Sequence, residues 1–214
     1  MRMNTIGLLL ACVILAGCHH RGVRGSGVET TQERSLDEFT AVDISGTFGV
    51  TIRCGEKPGA TVIADDNLVS LVKTEVRGST LHIFPEKDID PRTDLRIEVT
   101  TPSLSDVSVS GVASVDIKNV QGEKLNLDVN GAASIVARGT VKDASFNISG
   151  AGKLSTEDLH SANVRVAMSG AGKADVYASD NLDVDISGAG VIHYSGDPKT
   201  VNKRISGVGV VSRK

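Results

Sequence analysis

The sequence predicts an all-β fold: a right-handed parallel β-helix, or β-solenoid, with an irregular all-β N-terminal cap. The first observation is a repeated motif related to Ser-Gly-Ala-Gly. The first glycine of each copy, called the central glycine below, recurs about every 19 residues. These glycines are Gly111, Gly131, Gly150, Gly170, Gly188 and Gly207. A fixed period in this range is typical of a solenoid, whereas a β-propeller blade needs about 40 residues.

The second observation is that hydrophobic and polar residues alternate on both sides of each central glycine. Two positions before it the chain carries Val109, Val129, Ile148, Met168, Ile186 and Ile205. A period of two is that of a strand with one buried face, not of a helix. The glycine pair marks a corner, because glycine turns without a Cβ clash and lets neighbouring coils approach closely. Serine or asparagine precedes each central glycine, which predicts a polar ladder along one edge.

The first element, residues 1–17, is typical of a lipoprotein signal peptide. Arg2 supplies the positive charge, and the apolar run that follows is too short to span a bilayer. The tetrapeptide Leu15-Ala16-Gly17-Cys18 resembles the lipobox of bacterial lipoproteins, which implies that Cys18 is lipidated and becomes the mature N-terminus. In that class, His19 rather than aspartate after the cysteine favours the outer membrane, on its periplasmic or its surface face. The alternative is an ordinary secretory signal that is cleaved elsewhere.

Residues 18–35 are polar, contain three glycines and lack hydrophobic periodicity, which predicts a flexible tether. Residues 36–104 are predicted to form the irregular cap, which begins with a diverged coil around Gly46. Residues 105–214 hold the regular repeats. In the last coil Lys203, Arg213 and Lys214 are expected to blunt the open edge with charge, and docking of a second copy there is the alternative.

Inside the cap, alternation of side chains predicts short strands at residues 60–64, 74–77, 80–84 and 95–100. Gly78-Ser79 is typical of the turn of a hairpin between the second and third of these strands. The segment after the first strand has the composition of one or two helical turns, with Asp65 or Asp66 as the cap.

Composition and charge indicate a globular protein and give no sign of nucleic-acid binding. The 214 residues are 40% hydrophobic and carry a net charge of −3, which allows a sizeable core and gives no reason to expect nucleic acid as a partner. Cys12 leaves with the signal peptide and Cys18 takes the lipid, so Cys54 remains as a lone thiol. Its position among strand residues predicts a small buried hydrophobe, with redox or intermolecular pairing as the alternative.

Several segments together resemble the head GIN domain family, described as putative auto-transporter adhesins, of bacterial secreted and lipid-anchored proteins. They are residues 34–46, 64–68, 74–81 and 101–104 and the repeated Ser-Gly-Ala-Gly. The resemblance covers residues 34–212 and implies a right-handed β-helical domain with a surface role. It implies no catalytic or binding residues, and we do not expect the 214 residues to include the translocator of a literal autotransporter.

The sequence contains no catalytic constellation, and we expect no cofactor and no metal. A nucleophilic serine needs a base and a group that orients it, and no histidine stands at a fixed offset beside the serine ladder. Asp183 and Asp185 lie on the outward phase of one strand, with Asp128 a few coils away. Tyr177 and Tyr194 are expected to lie near one another on adjacent coils, as a stacking pair for a ligand. These four residues, Asp183, Asp185, Tyr177 and Tyr194, are the candidate ligand-binding residues.

The expected function is that of a non-enzymatic lipoprotein of the cell envelope, a binding or adhesion module whose partner is an envelope polysaccharide or a protein. One alternative is an enzyme that acts on polysaccharide through outward carboxylates. Another is a structural assembly protein, a homo-oligomer whose C-terminal coils pair end to end.

Overall fold

The structure, a computed structural model, describes residues 22–214, and the predicted signal peptide and lipidation site lie outside them. The described chain consists of strands joined by turns. The cap strands are β1 (Val23–Arg24), β2 (Glu29–Ser35), β3 (Ala41–Ile44), β4 (Thr47–Cys54), β5 (Gly59–Asp65), β6 (Val72–Arg77), β7 (Thr80–Pro85), β8 (Ile89–Asp90) and β9 (Arg96–Thr101). The coil strands are β10 (Asp106–Val109), β11 (Val112–Val129), β12 (Ala132–Ile148), β13 (Ala151–Met168), β14 (Ala171–Ile186), β15 (Ala189–Ser195), β16 (Thr200–Ile205) and β17 (Val208–Arg213).

The coils stack as a parallel β-solenoid, which confirms the predicted class. Residues that pair between neighbouring coils are 18 to 20 positions apart in the chain. The first half of each long strand pairs along one face of the stack, from β4 through β11 to β15 and β17. The second half pairs along the other face, from β3 and β10 through β11 to β14 and β16.

Glycine is required at the corner between the two faces. A Cβ built on Gly150 would lie 1.9 Å from the carbonyl oxygen of Gly131, and Gly170 meets Gly150 in the same way. The backbone of each coil therefore rests directly on the backbone of the coil before it. The second corner is built differently, since Asn119 and Gly139 adopt a positive φ there.

The cap extends both faces at the N-terminal end of the stack. On one face the hairpin of β6 and β7 pairs with β3, which confirms the predicted hairpin. On the other face β9 pairs with β4, and β5 and β2 follow in antiparallel order. The predicted early coil around Gly46 is present, because β3 and β4 are in register with β10 and β11.

One expectation for the cap is wrong. Residues 29–35, assigned to the tether, form β2 and pair along their length with β5, and Val23 pairs with Ile89. The segment after Asp65 forms a single turn, within the one or two turns that were predicted, and in it Leu68 and Val69 donate their N–H groups to the Asp65 carbonyl. No helix in the described part of the chain is long and apolar enough to cross a membrane.

The Asp65 side chain joins two separate segments of the cap rather than capping that turn. It is buried, and its carboxylate accepts hydrogen bonds from the N–H groups of Gly27 (2.6 Å), Arg92 (3.0 Å) and Thr93 (3.2 Å). Burial by itself raises the pKa of Asp65, but these hydrogen bonds outweigh it and lower the pKa to about 2.

The core fills the space between the two faces with one inward side chain per coil in each register position. One such column contains Leu127, Phe146, Val166 and Val184, all buried. Lys203 occupies the same register position in the last coil. Apolar side chains are needed there because each coil is covered on both sides by its neighbours.

Replacing Phe146 with alanine removes the largest side chain of this column. We expect the Phe146→Ala protein to lose about 3–5 kcal/mol of unfolding free energy, because neighbouring coils cannot close the cavity. Urea denaturation followed by circular dichroism measures the loss. The control is Val112→Ala, since Val112 is 54% exposed and its truncation should cost less than about 0.5 kcal/mol. Equal losses for the two variants would show that Phe146 is not packed as described.

Candidate functional site

We define the polar face as the outer surface formed by β3, β10, the second halves of β11 to β14, and β16. Its side chains form columns, because residues in register lie about 4.8 Å apart from coil to coil. One column contains Asp106, Asn126, Ser145, Arg165, Asp183 and Asn202. The next contains Asp43, Ser108, Asp128, Asn147, Ala167, Asp185 and Arg204. A third contains Lys124, Asp143, Asn163, Asn181 and Thr200.

Hydrogen bonds between neighbouring coils hold these side chains in place. Four asparagines donate from Nδ2 to an aspartate on the preceding coil, at 2.7 to 2.9 Å: Asn126 to Asp106, Asn147 to Asp128, Asn163 to Asp143 and Asn202 to Asp183. Asn181 continues the third column by donating to Oδ1 of Asn163 at 2.7 Å. Each bonded carboxylate keeps further acceptor positions, because an ionised carboxylate offers about four. The face is thus a fixed array of acceptors and amide groups.

Two shallow grooves lie on the polar face and contain the two candidate aspartates. The first has a volume of about 210 Å³ and is lined by Asp183 with Asp143, Arg165 and other residues of the same columns. The second has a volume of about 200 Å³, with Asp185 on its wall beside Ser149. Polar groups surround both grooves, while Ala144 and Val164 form an apolar floor in the first.

The structure brings the candidate carboxylates onto one surface. Asp183 and Asp185 both point outward from β14, and Asp128 lies in the column of Asp185, three coils earlier. Asp185 also accepts a bond at 3.4 Å from Nε of Arg204. Such half-exposed, partnered carboxylates suit binding of hydroxyl or amide groups through hydrogen bonds.

The tyrosines do not form the expected stacking pair. Tyr194 is in register with Val176 and Tyr177 with Ser195, so the two rings point to opposite sides of their strands. Tyr177 packs edge-on against His160, with ring centroids 4.5 Å apart. Tyr194 packs against the core, and the Lys203 ammonium lies 5.5 Å from its ring centroid.

The polar ladder at the corner is present in part. Ser45 and Ser110 share a hydrogen bond of 2.8 Å between their hydroxyl groups, and Ser149 donates to Oδ1 of Asn130 at 2.6 Å. No histidine bonds to these residues in the described chain. At the N-terminal end, Asp88 and the β8 residue Asp90 line a groove of about 1000 Å³.

A charged cluster near the C-terminal end was not expected from the sequence. The largely buried Asp175 lies 3.1 Å from Lys173 Nζ, 3.2 Å from His193 Nδ1 and 3.0 Å from Lys214 Nζ. Burial raises the pKa of Asp175, but bonds from Lys214, Lys173 and His193 outweigh it and lower the pKa. Because these partners come from three coils, the cluster holds the end of the stack together. The spacing of 18 residues between Asp175 and His193, which equals the register between β14 and β15, is the sequence signal that identifies it.

Cys54 is buried at the end of β4, on its inward phase, as the sequence predicts. Burial raises the pKa of its thiol to about 11, so the thiol is protonated at neutral pH and is a poor nucleophile. Among residues 22–214, no group of three or more histidine, cysteine, aspartate or glutamate side chains is arranged to hold a metal ion.

The fold and the polar face define a class of protein: a β-solenoid that presents a regular, hydrogen-bonded array of polar side chains on one exposed surface. A family model described as "Putative auto-transporter adhesin, head GIN domain" matches residues 38–198. The chain belongs to this family. A comparison with curated proteins gives no match.

Solved structures with similar folds carry related descriptions. A putative adhesin from Bacteroides fragilis NCTC 9343 is 20% identical with a TM-score of 0.72, and the match covers 90% of this chain and 100% of that one. A putative adhesin from Parabacteroides merdae ATCC 43184 is 22% identical with a TM-score of 0.58, over 90% and 98%. A putative lipid binding protein from Parabacteroides distasonis ATCC 8503 is 24% identical with a TM-score of 0.52, over 90% and 99%. Similarity at these identities establishes the fold alone.

Proposed function

We propose that this protein is a non-enzymatic, lipid-anchored module of the cell envelope that binds an extended, hydroxyl-rich polymer on its polar face. The observation that carries the proposal is the array of asparagine and aspartate side chains fixed by bonds between coils. Groups fixed before binding lose little conformational entropy on binding. A polysaccharide matches this surface, because its repeating hydroxyl groups can donate to the carboxylates and accept from the amides.

The position of the anchor follows from the lipobox-like tetrapeptide and from the start of the fold. Pairing begins at Val23, so residues 18–21 alone separate the proposed lipid on Cys18 from the described chain. Four residues span at most about 14 Å. The cap would therefore lie close to the bilayer. The family and two of the three solved structures described above carry the description of adhesins, which supports an envelope location.

The proposal that the protein is not an enzyme is based on the hydrogen-bond partners and surroundings of the outward carboxylates. Asp183 accepts a bond from Asn202 and Asp185 from Arg204, and both lie in open, shallow grooves rather than a closed pocket. The general acid of a glycosidase generally lies in a site that excludes water. Such a site raises the pKa of the acid, so that the acid stays protonated. The geometry on the polar face favours binding over bond cleavage.

The test is a binding screen of soluble envelope polysaccharides against the full chain in detergent, with and without calcium. We expect saturable binding without product formation, and at least about tenfold weaker binding for the Asp183→Ala and Asp185→Ala double variant, or about 1.4 kcal/mol. The matched control is Asp116→Ala, an outward aspartate on the opposite face that pairs with Arg138. Equal weakening by both variants, or no binding to any polysaccharide, would contradict the proposed surface and ligand. Appearance of cleaved products would contradict the non-enzymatic assignment.

A further inference from the structure

The last coil ends in a strand with an open side. β17 pairs with β15, and on its other side no strand of the described chain pairs with it. Val208 donates its N–H to Gly188 and Lys214 donates to Tyr194, both at 2.9 Å. Because successive residues of a strand direct their amide groups to opposite sides, the N–H and C=O groups of Gly209 and Val211 point to the open side.

One further acceptor on this edge is the carbonyl of Gly207. In the preceding coils the equivalent carbonyls each accept an N–H group of the next coil: Gly131 from Ala151, Gly150 from Ala171, Gly170 from Ala189 and Gly188 from Val208. Gly207 belongs to the final coil, so its carbonyl has no such donor in the described chain. The open edge thus presents a short series of backbone donors and acceptors.

Exposed aliphatic side chains are concentrated at the same end. Of the seven exposed large hydrophobic residues in the described chain, Val191, Ile205, Val208 and Val210 lie on the last two coils. Val208 is 80% exposed and Val210 is 56% exposed, and both point outward from β17. Large exposed aliphatic groups beside an open strand edge are features of a pairing surface.

We expected positive charge to protect this open edge from pairing. Most of the lysine and arginine side chains at this end instead form ion pairs with carboxylates of the same chain. Lys199 pairs with Asp180 at 2.6 Å, and Arg204 with Asp185 at 3.4 Å. Arg213 pairs with Asp197 at 3.2 Å, and Lys214 with Asp175 and Glu157. Lys203 is the exception, and its Nζ donates to the carbonyl of Val211 at 3.1 Å.

We propose that β17 pairs with β17 of a second copy, antiparallel about a two-fold axis at Gly209. In this register the two Gly209 residues exchange their N–H···O bonds, and each Val211 N–H donates to Gly207 of the partner subunit. The two-fold axis creates two equivalent contacts, in each of which Val208 of one chain lies opposite Val210 of the other. These contacts bury the exposed valines against each other. The Val211 carbonyl is not needed, so its bond from Lys203 is kept.

A second copy is the occupant that this edge fits best, because the edge is complementary to itself. Each donor that the register uses meets an acceptor that is open in the single chain, and the outward valines pair without opposing like charges. A two-fold contact of this kind closes after two chains, since the same patch is used on both. The two N-terminal ends then lie at opposite ends of the dimer. With the lipid anchor proposed above, the pair would link two bilayers.

The first test is disulfide cross-linking between full-length chains in detergent, which depends on neither the anchor nor the polysaccharide. A Val208→Cys chain is mixed with a differently tagged Val210→Cys chain and oxidised mildly. Opposed residues of an antiparallel pair are close enough for a disulfide. We expect the mixed disulfide to form at least about tenfold faster than with Val112→Cys in place of either chain. Val112 is the matched control, because it is 54% exposed and lies in the same outward column as Val208, on an early coil.

The second test is sedimentation equilibrium of the full chain in the same detergent. We expect a reversible dimer whose dissociation constant rises at least about tenfold in the Val208→Lys and Val210→Lys double variant, and not in Val112→Lys. Lysines at exposed edge positions should leave the fold intact, which circular dichroism verifies. A monomer at all concentrations, or cross-linking no faster than with Val112→Cys, would overturn the proposal. Capture of a different protein by the edge, with no self-association, would overturn it as well.

Discussion

The Gly150→Ala protein is expected to lose more than about 3 kcal/mol of unfolding free energy, or not to fold at all. The added methyl group would lie 1.9 Å from the carbonyl oxygen of Gly131, and backbone atoms on both sides of that contact are fixed by bonds between coils. One of these bonds, from Ala151 N–H to Gly131 at 2.9 Å, must lengthen if the coils separate. Urea denaturation followed by circular dichroism measures the loss.

The matched control for this substitution is Gly122→Ala in the same solenoid. A Cβ on Gly122 meets no atom within 4 Å, and its φ is not positive. We expect its effect to be within about 1 kcal/mol, and stabilising if the unfolded chain loses more freedom than the folded one. A Gly150→Ala protein that unfolds at the same urea concentration as Gly122→Ala would show that the corner backbones are not in direct contact.

The solenoid could be predicted from the sequence because its strongest constraint is local and repeated. Each corner needs a glycine and each flanking strand alternates, so both signals recur in every coil. The coil around Gly46 was identifiable for the same reason. Residues 29–35 gave no such signal, because β2 has polar side chains on both faces and is held by backbone pairing with β5. Pairing of that kind leaves no hydrophobic pattern.

The candidate site was predictable only in part, because register decides which side chains meet. Asp183 and Asp185 could be placed on an outer surface from alternation alone. Tyr177 and Tyr194 are 17 residues apart, whereas the register between β14 and β15 is 18, and this single residue reverses the face. The asparagine and aspartate array does leave a sequence signal, namely amide and acid residues at intervals of 18 to 20. That signal can be recognised only when the number of residues in each coil is known.

The dependence of stability on acid pH tests how the cap, which lies outside the regular repeats, is held together by Asp65. Asp65 joins the segment after β1 to the segment after β8 through the N–H groups of Gly27, Arg92 and Thr93. Its pKa is about 2 in the folded protein, below the value of about 3.9 expected when unfolded. A group with a lowered folded pKa stabilises the protein above its unfolded pKa, and this contribution is lost as the pH falls through the folded value.

We therefore expect the unfolding temperature to fall as the pH is lowered from about 4 to about 2, and to fall less steeply in Asp65→Asn. At pH 7 the Asp65→Asn protein should unfold at a temperature at least about 5 °C below that of the wild type. The asparagine amide accepts fewer hydrogen bonds than the carboxylate, and its NH2 group would face the N–H groups of the cap backbone. Differential scanning calorimetry measures both effects. Asp66→Asn is the control, since this exposed neighbour bonds to the Ser26 hydroxyl and not to the backbone of the cap. Parallel acid profiles for the wild type and Asp65→Asn would mean that Asp65 is not the acid-sensitive carboxylate of the cap, and that the loss of stability comes from other carboxylates.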